Sequence, residues 1–242
     1  MVRAALALVG LPLLLAAAAC DGGGETTPLT FGPVISKIPW TAPETTTYTI
    51  RQGNTEGAAT LTLELEGDTL IVRQSFRVPE NEIRDEVTAE VDAQTLQPRS
   101  VNRLIQAPAG DRICRAEYGR TSATVYQETE QDHRTDEFAV PREAYDSWTD
   151  LFLWRTINLR QDHVARYSLV STCTFRKPGV NQATIQVIGK ERVTVPAGVF
   201  ETWKLEFRSG DARQEAWVTV EPPHLLVRYD NGPQLFELTA VR

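Results

Sequence analysis

The sequence is poor in the residues from which most catalytic and metal sites are built. It has three histidines, His133, His163 and His224. No two of them form a His-x-x-x-His pair and none stands in a Cys/His cluster, so the usual ligand spacings of a metal site are missing. Gly-x-Ser-x-Gly, a Walker loop and Gly-x-Gly-x-x-Gly are missing too. Their absence removes the local signals of a nucleophile elbow, a phosphate cradle and a dinucleotide fold. Basic residues are outnumbered: 25 Lys and Arg stand against 32 Asp and Glu, a net charge of −7. That balance argues against a nucleic-acid partner and against adsorption to anionic lipid. Beyond the N-terminus no apolar run is long enough to cross a bilayer. The expectation is a protein that carries no cofactor and is not an enzyme.

Cysteine is scarce as well, and its three copies separate into one and two. Cys20 follows Arg3, an apolar run from Ala4 to Leu15, and the small residues Ala17-Ala18-Ala19. The run is too short to span and reads as the h-region of a signal peptide over residues 1–19. Small residues directly before a cysteine resemble the lipobox of bacterial lipoproteins, with Ala17 where a leucine is usual. The resemblance implies an exported chain whose Cys20 is acylated. Its partner is then a membrane, held through the lipid anchor on the extracytoplasmic side of a bacterial envelope. Residues 20–44 read as a tether rich in glycine and proline, with a reach of about 25–30 Å. Ile35, Ile38 and Trp40 are too apolar for a pure tether, so its later half is expected to lie against the domain. Cys114 and Cys173 both fall in strand patterns. In an exported protein they can pair as a disulfide; two buried free thiols are the other reading.

Residues 45–242 read as one β-rich domain. Leu61, Leu63 and Leu65 alternate with Thr62, Glu64 and Glu66, Gly67-Asp68 turns the chain, and Leu70, Val72, Phe76 and Val78 return it. This is a hairpin with one dry and one wet face. Gln74 interrupts the dry face and is taken to mark its edge. Val87 to Val91 and Val101 to Ile105 continue the pattern, and the charged run Glu128 to Glu137 reads as a solvated loop or edge. Tyr167, Leu169, Cys173 and Phe175 share one face of a further strand. Trp203, Leu205 and Phe207 alternate with polar neighbours in the same way, and Asn231-Gly232 sits between two alternating runs as a tight turn. About a dozen strands at regular spacing predict a barrel, clam or sandwich.

Pro141 to Leu159 changes character. Pro141 suits a helix start, and Tyr145, Trp148, Leu151, Phe152, Leu153, Trp154, Ile157 and Leu159 follow it. At 100° per residue these cover most of a helix circumference, which predicts a buried helix or one lying between two apolar surfaces. Arg155 falls among them and needs a carboxylate partner or an exit to water. Such a helix either closes the core, the simpler reading, or lines the mouth of a curved sheet where a lipid tail could enter.

Two short motifs carry a family resemblance. Val195-Pro196-Ala197-Gly198-x-Phe200 with the aromatic-rich strands after it, and Val91-Asp92-Ala93-x-Thr95-Leu96-x-Pro98, resemble signatures of an uncharacterised bacterial envelope family, a domain of unknown function of the DUF3108 type. The resemblance spans Thr45 to the C-terminus. It implies an exported protein built on an open, curved antiparallel sheet similar to the half-barrel of the lipoprotein carriers LolA and LolB. With the helix near 141–159 added, the expected fold is mostly β: a half-barrel or clam closed by one buried helix. The expected function is non-catalytic. Either an apolar ligand such as a lipid, or a protein partner, is bound in the curved sheet, with Trp148, Phe152 and Trp154 nearest an apolar ligand. An enzyme whose site is assembled from distant residues and a purely structural scaffold remain the alternatives.

Overall fold

A computed structural model describes residues 34–242. The expected signal peptide, Cys20 and the first part of the tether lie outside the described residues. The alternation seen in the sequence becomes strand along almost the whole described chain. In order the strands are β1 (Glu44–Gln52), β2 (Thr55–Glu66), β3 (Thr69–Val78), β4 (Ile83–Asp92), β5 (Pro98–Gln106), β6 (Arg112–Tyr118), β7 (Ser122–Thr129), β8 (His133–Ala139), β9 (Ala144–Asp146), β10 (Val164–Ser171), β11 (Gly179–Val195), β12 (Gly198–Ser209), β13 (Ala212–Thr219), β14 (Leu226–Asp230) and β15 (Leu235–Val241). All fifteen belong to one sheet, ordered β8-β7-β6-β5-β4-β3-β2-β1-β15-β14-β13-β12-β11-β10-β9. The β9–β10 pair is parallel. Its neighbours β10 and β11 return to the antiparallel pairing that runs through the rest of the sheet.

Local chemistry explains the hairpins. Gly67 and Gly210 open two-residue turns at φ +63° and +54°, a region that glycine enters without steric cost. The Val91 to Pro98 motif is also a turn device. Asp92 Oδ1 accepts the backbone N–H of Gln94 at 3.0 Å and of Thr95 at 2.9 Å. Leu96, in the left-handed region at φ +53°, is thereby driven into the core. The carboxyl is held below its usual range by these donors, Thr95 first. One signature of the family resemblance is therefore a folding element.

The sheet curves without closing its hydrogen-bond ladder, and its two edges are fastened by side chains. β8 and β9 are successive in sequence yet stand at opposite edges. The five steps from Ala139 to Ala144 reach at most about 18 Å, so the edges come close at that end. There Ala123, Val140, Ala144 and Val170 form a small buried cluster of their own. The Tyr118 hydroxyl donates to Asp146 across the same gap. The Cys114–Cys173 disulfide joins β6 to the segment after β10, with the Cα atoms 5.3 Å apart. Edge strand β8 alternates exposed and half-buried residues, among them Arg134, Asp136 and Glu137, a composition that discourages pairing with another chain.

The helix expected over 141–159 shrinks to one turn, α1 (Asp150–Leu153). Side chains that bond the backbone locally displace it, as short polar residues do. Ala144–Asp146 pairs with β10 instead. Asp146 Oδ1 then accepts the Trp148 N–H at 2.8 Å, and the Thr149 hydroxyl donates to the Asp146 carbonyl at 2.8 Å. At the other end the Thr156 hydroxyl takes the Leu153 carbonyl at 2.7 Å. A compact turn sends side chains in every direction, which reproduces an apolar wheel without a long helix. The turn is buried between two apolar layers: the inner face of the sheet and the segment 34–43.

That segment packs on the domain. Val34 and Trp40 belong to the core, and the N–H groups of Ser36 and Lys37 reach the Thr156 carbonyl at 2.8 and 3.1 Å. The carboxylate that Arg155 requires is Glu44, at the start of β1. The two form a bidentate pair at 2.7 and 2.8 Å, and Arg155 also donates to the Pro223 carbonyl at 2.9 Å. Both side chains are buried.

Candidate functional site

Inside the curve a cavity of about 1170 Å³ is left, lined from both halves of the sheet and from the 147–154 turn. Its lining mixes apolar and polar side chains. Ile50 and Leu61 come from β1 and β2, Phe76 from β3, Phe207 from β12 and Phe236 from β15, with Leu151 and Trp154 standing in from the turn. Alternation dictates this arrangement, since every second residue of each strand faces inward. Ring-to-ring contacts fix the walls: Trp154 lies 5.0 Å from Phe207, and Tyr229 5.3 Å from Phe236. The rim is polar and belongs to one end of the sheet, where Gln52, Asn81, Thr174 and Asn181 are exposed.

Polar groups at the inner wall are placed by specific bonds. Gln74, taken from the sequence as an edge marker, is instead buried mid-sheet. Its amide donates to the Trp148 carbonyl and so anchors the 147–154 turn to β3. The Arg103 guanidinium holds Asp85 at 2.9 and 2.6 Å, donates to the Cys173 carbonyl at 2.7 Å and lies over the Trp148 ring at 4.5 Å. Asp150 accepts the Tyr167 hydroxyl at 2.9 Å, and that oxygen accepts the Trp154 indole N–H at 2.9 Å. Burial pushes the Asp150 carboxyl well above the usual carboxylate range, with nearby Asp146 adding to the shift. Asp146 itself is raised by burial. Tyr48, whose hydroxyl donates to the Leu226 carbonyl at 2.9 Å, is pushed up by burial to about 12.

The residues singled out in the sequence are distributed as follows. Trp148 and Trp154 line the cavity. Phe152 does not: it is 3% exposed and packs edge-on to Trp40 at 6.4 Å, on the side of the turn facing the N-terminal segment. Cys114 and Cys173 are joined. β10 ends at Ser171, so Cys173 and Phe175 lie beyond it and not along one strand face. Both take left-handed backbone, φ +47° and +57°, which costs about 1–3 kcal/mol each unless the surroundings enforce it. The disulfide and the Arg103 bond to the Cys173 carbonyl supply that enforcement. Sequence reading passed over Leu151 as a cavity residue, and over Asp150, Arg176 and Lys177 altogether. The available signal was position, since all four lie within the two segments that interrupt the strand pattern. Among the described residues no group of three His, Cys, Asp or Glu side chains is placed to hold a metal ion. Among them no helix is long and apolar enough to cross a membrane.

Comparison with known proteins agrees with this architecture. A family model described as a protein of unknown function (DUF3108) matches residues 46–236. The chain is similar in structure to a β-barrel-like protein of the domain of unknown function DUF1849 from Brucella abortus. The TM-score is 0.57 at 10% identity, covering 84% of this chain and 98% of that one. A DUF1089 family protein from Pseudomonas aeruginosa gives a TM-score of 0.40 at 14% identity, over 72% of this chain and 90% of that one. A protein with a YmcC-like fold from Bacteroides fragilis gives 0.34 at 8% identity, over 85% and 98%. The first of these shows a shared fold. No curated protein matches the chain.

Proposed function

The chain belongs to the DUF3108 family, a family of unknown function, and from that premise we propose that it is an envelope lipoprotein that holds a long-chain apolar ligand inside its curved sheet without converting it. The observation that carries the reading is the cavity of about 1170 Å³, with Ile50, Leu61, Phe76, Leu151, Phe207 and Phe236 among its lining and a polar rim. Small-molecule sites usually measure about 300–1,000 Å³, so this one has room for an extended apolar ligand. Burying an acyl chain contributes about 0.8 kcal/mol per CH₂, against an association cost of roughly 4–15 kcal/mol. On those figures the gain meets the cost at roughly 5–19 carbons, so affinity should rise with tail length and long chains are favoured. Trp148, Leu151 and Trp154 meet the tail.

Export and anchoring complete the proposal. Cys20, after its signal peptide, carries the acyl chains, and the tether holds the cup above the membrane on the extracytoplasmic side. More than one acyl chain is needed for stable anchoring. Replacing Cys20 with Ser should move the protein out of the membrane fraction or leave the precursor uncleaved; unchanged partitioning with no acyl mass on the wild type would contradict it. A catalytic reading would rest on Asp150, whose Oδ1 is already engaged by Tyr167. A fluorescent long-chain fatty-acid probe tests the binding reading. Saturable binding by the whole chain carrying Cys20→Ser, displaced by unlabelled fatty acid, is expected. No binding of any long-chain probe would refute it.

A further inference from the structure

The charges at the cavity mouth are not balanced. Four side chains that line it can carry charge without a neutralising neighbour being obvious from sequence: Asp85, Arg103, Arg176 and Lys177. Asp85 and Arg103 neutralise each other in a two-toothed pair. Asp150, the remaining lining carboxyl, is buried and accepts a hydroxyl. Arg176 and Lys177 are exposed at the rim, and among the described residues neither side chain is in an ion pair. A chain of net charge −7 thus presents positive charge, without an ion-pair partner among the described residues, where its cavity opens.

The backbone beneath these two cations continues from β10 in one half of the sheet and is held by strands β5 to β8 of the other. Cys173, three residues before Arg176, is bonded to β6. The Arg176 carbonyl accepts the Gln127 amide at 3.3 Å from β7 and also the Arg134 guanidinium from β8. The Phe175 ring, between them, lies 4.9 Å from the Arg112 guanidinium and 5.5 Å from that of Arg103. A segment fastened at so many points keeps its backbone in place before a ligand arrives, so only the two side chains have to be ordered on binding.

Taking the cavity as the ligand site proposed above, we infer that Arg176 and Lys177 are its headgroup site and that the ligand is a long-chain amphiphile with an anionic head, a carboxylate or a phosphate. The tail lies along Phe76, Leu151 and Phe236, and the head stays at the rim, where cations pair with it and water still reaches it. An uncharged ligand would gain nothing from the rim, and a cationic one would be repelled by it.

The test uses four probes with one hexadecyl-length tail: hexadecanoate, hexadecyl phosphate, hexadecanol and hexadecyltrimethylammonium. Each is titrated below its micelle concentration into the whole chain carrying Cys20→Ser, and into the same chain with Arg176→Gln and Lys177→Gln added. The expected order is anionic, then neutral, then cationic, and the two anionic arms tell carboxylate from phosphate preference. The double substitution should weaken the anionic probes about tenfold, the size expected of two partly exposed ion pairs, and leave hexadecanol unchanged. Arg120→Gln, an exposed cation outside the cavity, should change nothing. Raising salt on the unsubstituted chain should weaken the anionic probes alone, a check that does not depend on any variant folding. Equal binding of all four probes would overturn the headgroup site while leaving the ligand cavity intact. Binding of none would overturn both.

Discussion

Breaking the Cys114–Cys173 bridge should destabilise the protein by about 4 kcal/mol. The bridge closes a sequence separation of 59 residues, and the loop-entropy relation gives that figure for a loop of this length. The loss is not confined to the unfolded chain. The bridge is one of the fasteners between the two edges of the sheet, and it holds the left-handed segment that brings Thr174, Arg176 and Lys177 to the cavity. Both cysteines are fully buried, so paired replacement by alanine is preferable to serine, which would bury unpartnered hydroxyls. Urea unfolding of the oxidised chain and of the paired alanine variant measures the cost. With a slope of about 2 kcal/mol/M the midpoint should fall by about 2 M. Hydrogen exchange should show protection lost first across residues 172–178, and anionic-probe affinity should fall with it. A midpoint shift below about 0.5 M would refute the reasoning. So would labelling of the unreduced, denatured chain that finds free thiols at both positions.

Arg155→Met should cost about 3–5 kcal/mol in thermal or urea unfolding, because it strands the Glu44 carboxylate in the core. Adding Glu44→Leu should recover most of that loss. The raised Asp150 carboxyl makes a pH claim whose sign is fixed. Above its ordinary value of 3.8 the unfolded chain gives up this proton while the folded chain retains it. Stability therefore falls as pH rises from about 4 toward the raised folded value, and Asp150→Asn should flatten that decline. Parallel slopes for variant and wild type would count against it. Leu151→Asn should weaken probe binding by tenfold or more with a small stability cost, since it faces the cavity. Phe152→Ala should do the reverse, costing about 3–5 kcal/mol with affinity nearly unchanged. The two effects exchanged would place the ligand on the wrong side of the turn.

The strand faces were legible because alternation survives in the residues that pack. Leu61 and Leu63 point inward and are buried; Leu65, two residues on, stays 55% exposed near the turn where the sheet stops covering it. Arg155 was legible as a charge in need of a partner, but Glu44 lies 111 residues away and only the β1 strand brings it there. The 141–159 segment misled for a physical reason. An apolar wheel records how many directions are buried, and a single turn packed on two sides satisfies it as well as a helix does. Asp146, Thr149 and Thr156, which bond the backbone locally, were the residues that spoke against the helix. The cations Arg176 and Lys177 drew no reading, since nothing local says that their segment overlooks a cavity. The turns of the two family motifs lie away from the cavity lining, and only the aromatic-rich strands that belong to the first reach it, through Phe207, Leu226 and Tyr229.

The central claim, that the cup holds a long-chain apolar ligand, is tested most directly by native mass spectrometry of the whole chain carrying Cys20→Ser, purified without detergent. The account predicts a population heavier than the bare chain by the mass of one long-chain amphiphile, lost when Leu151→Asn is introduced. A bare chain alone, which also stays bare after incubation with hexadecanoate, would contradict it.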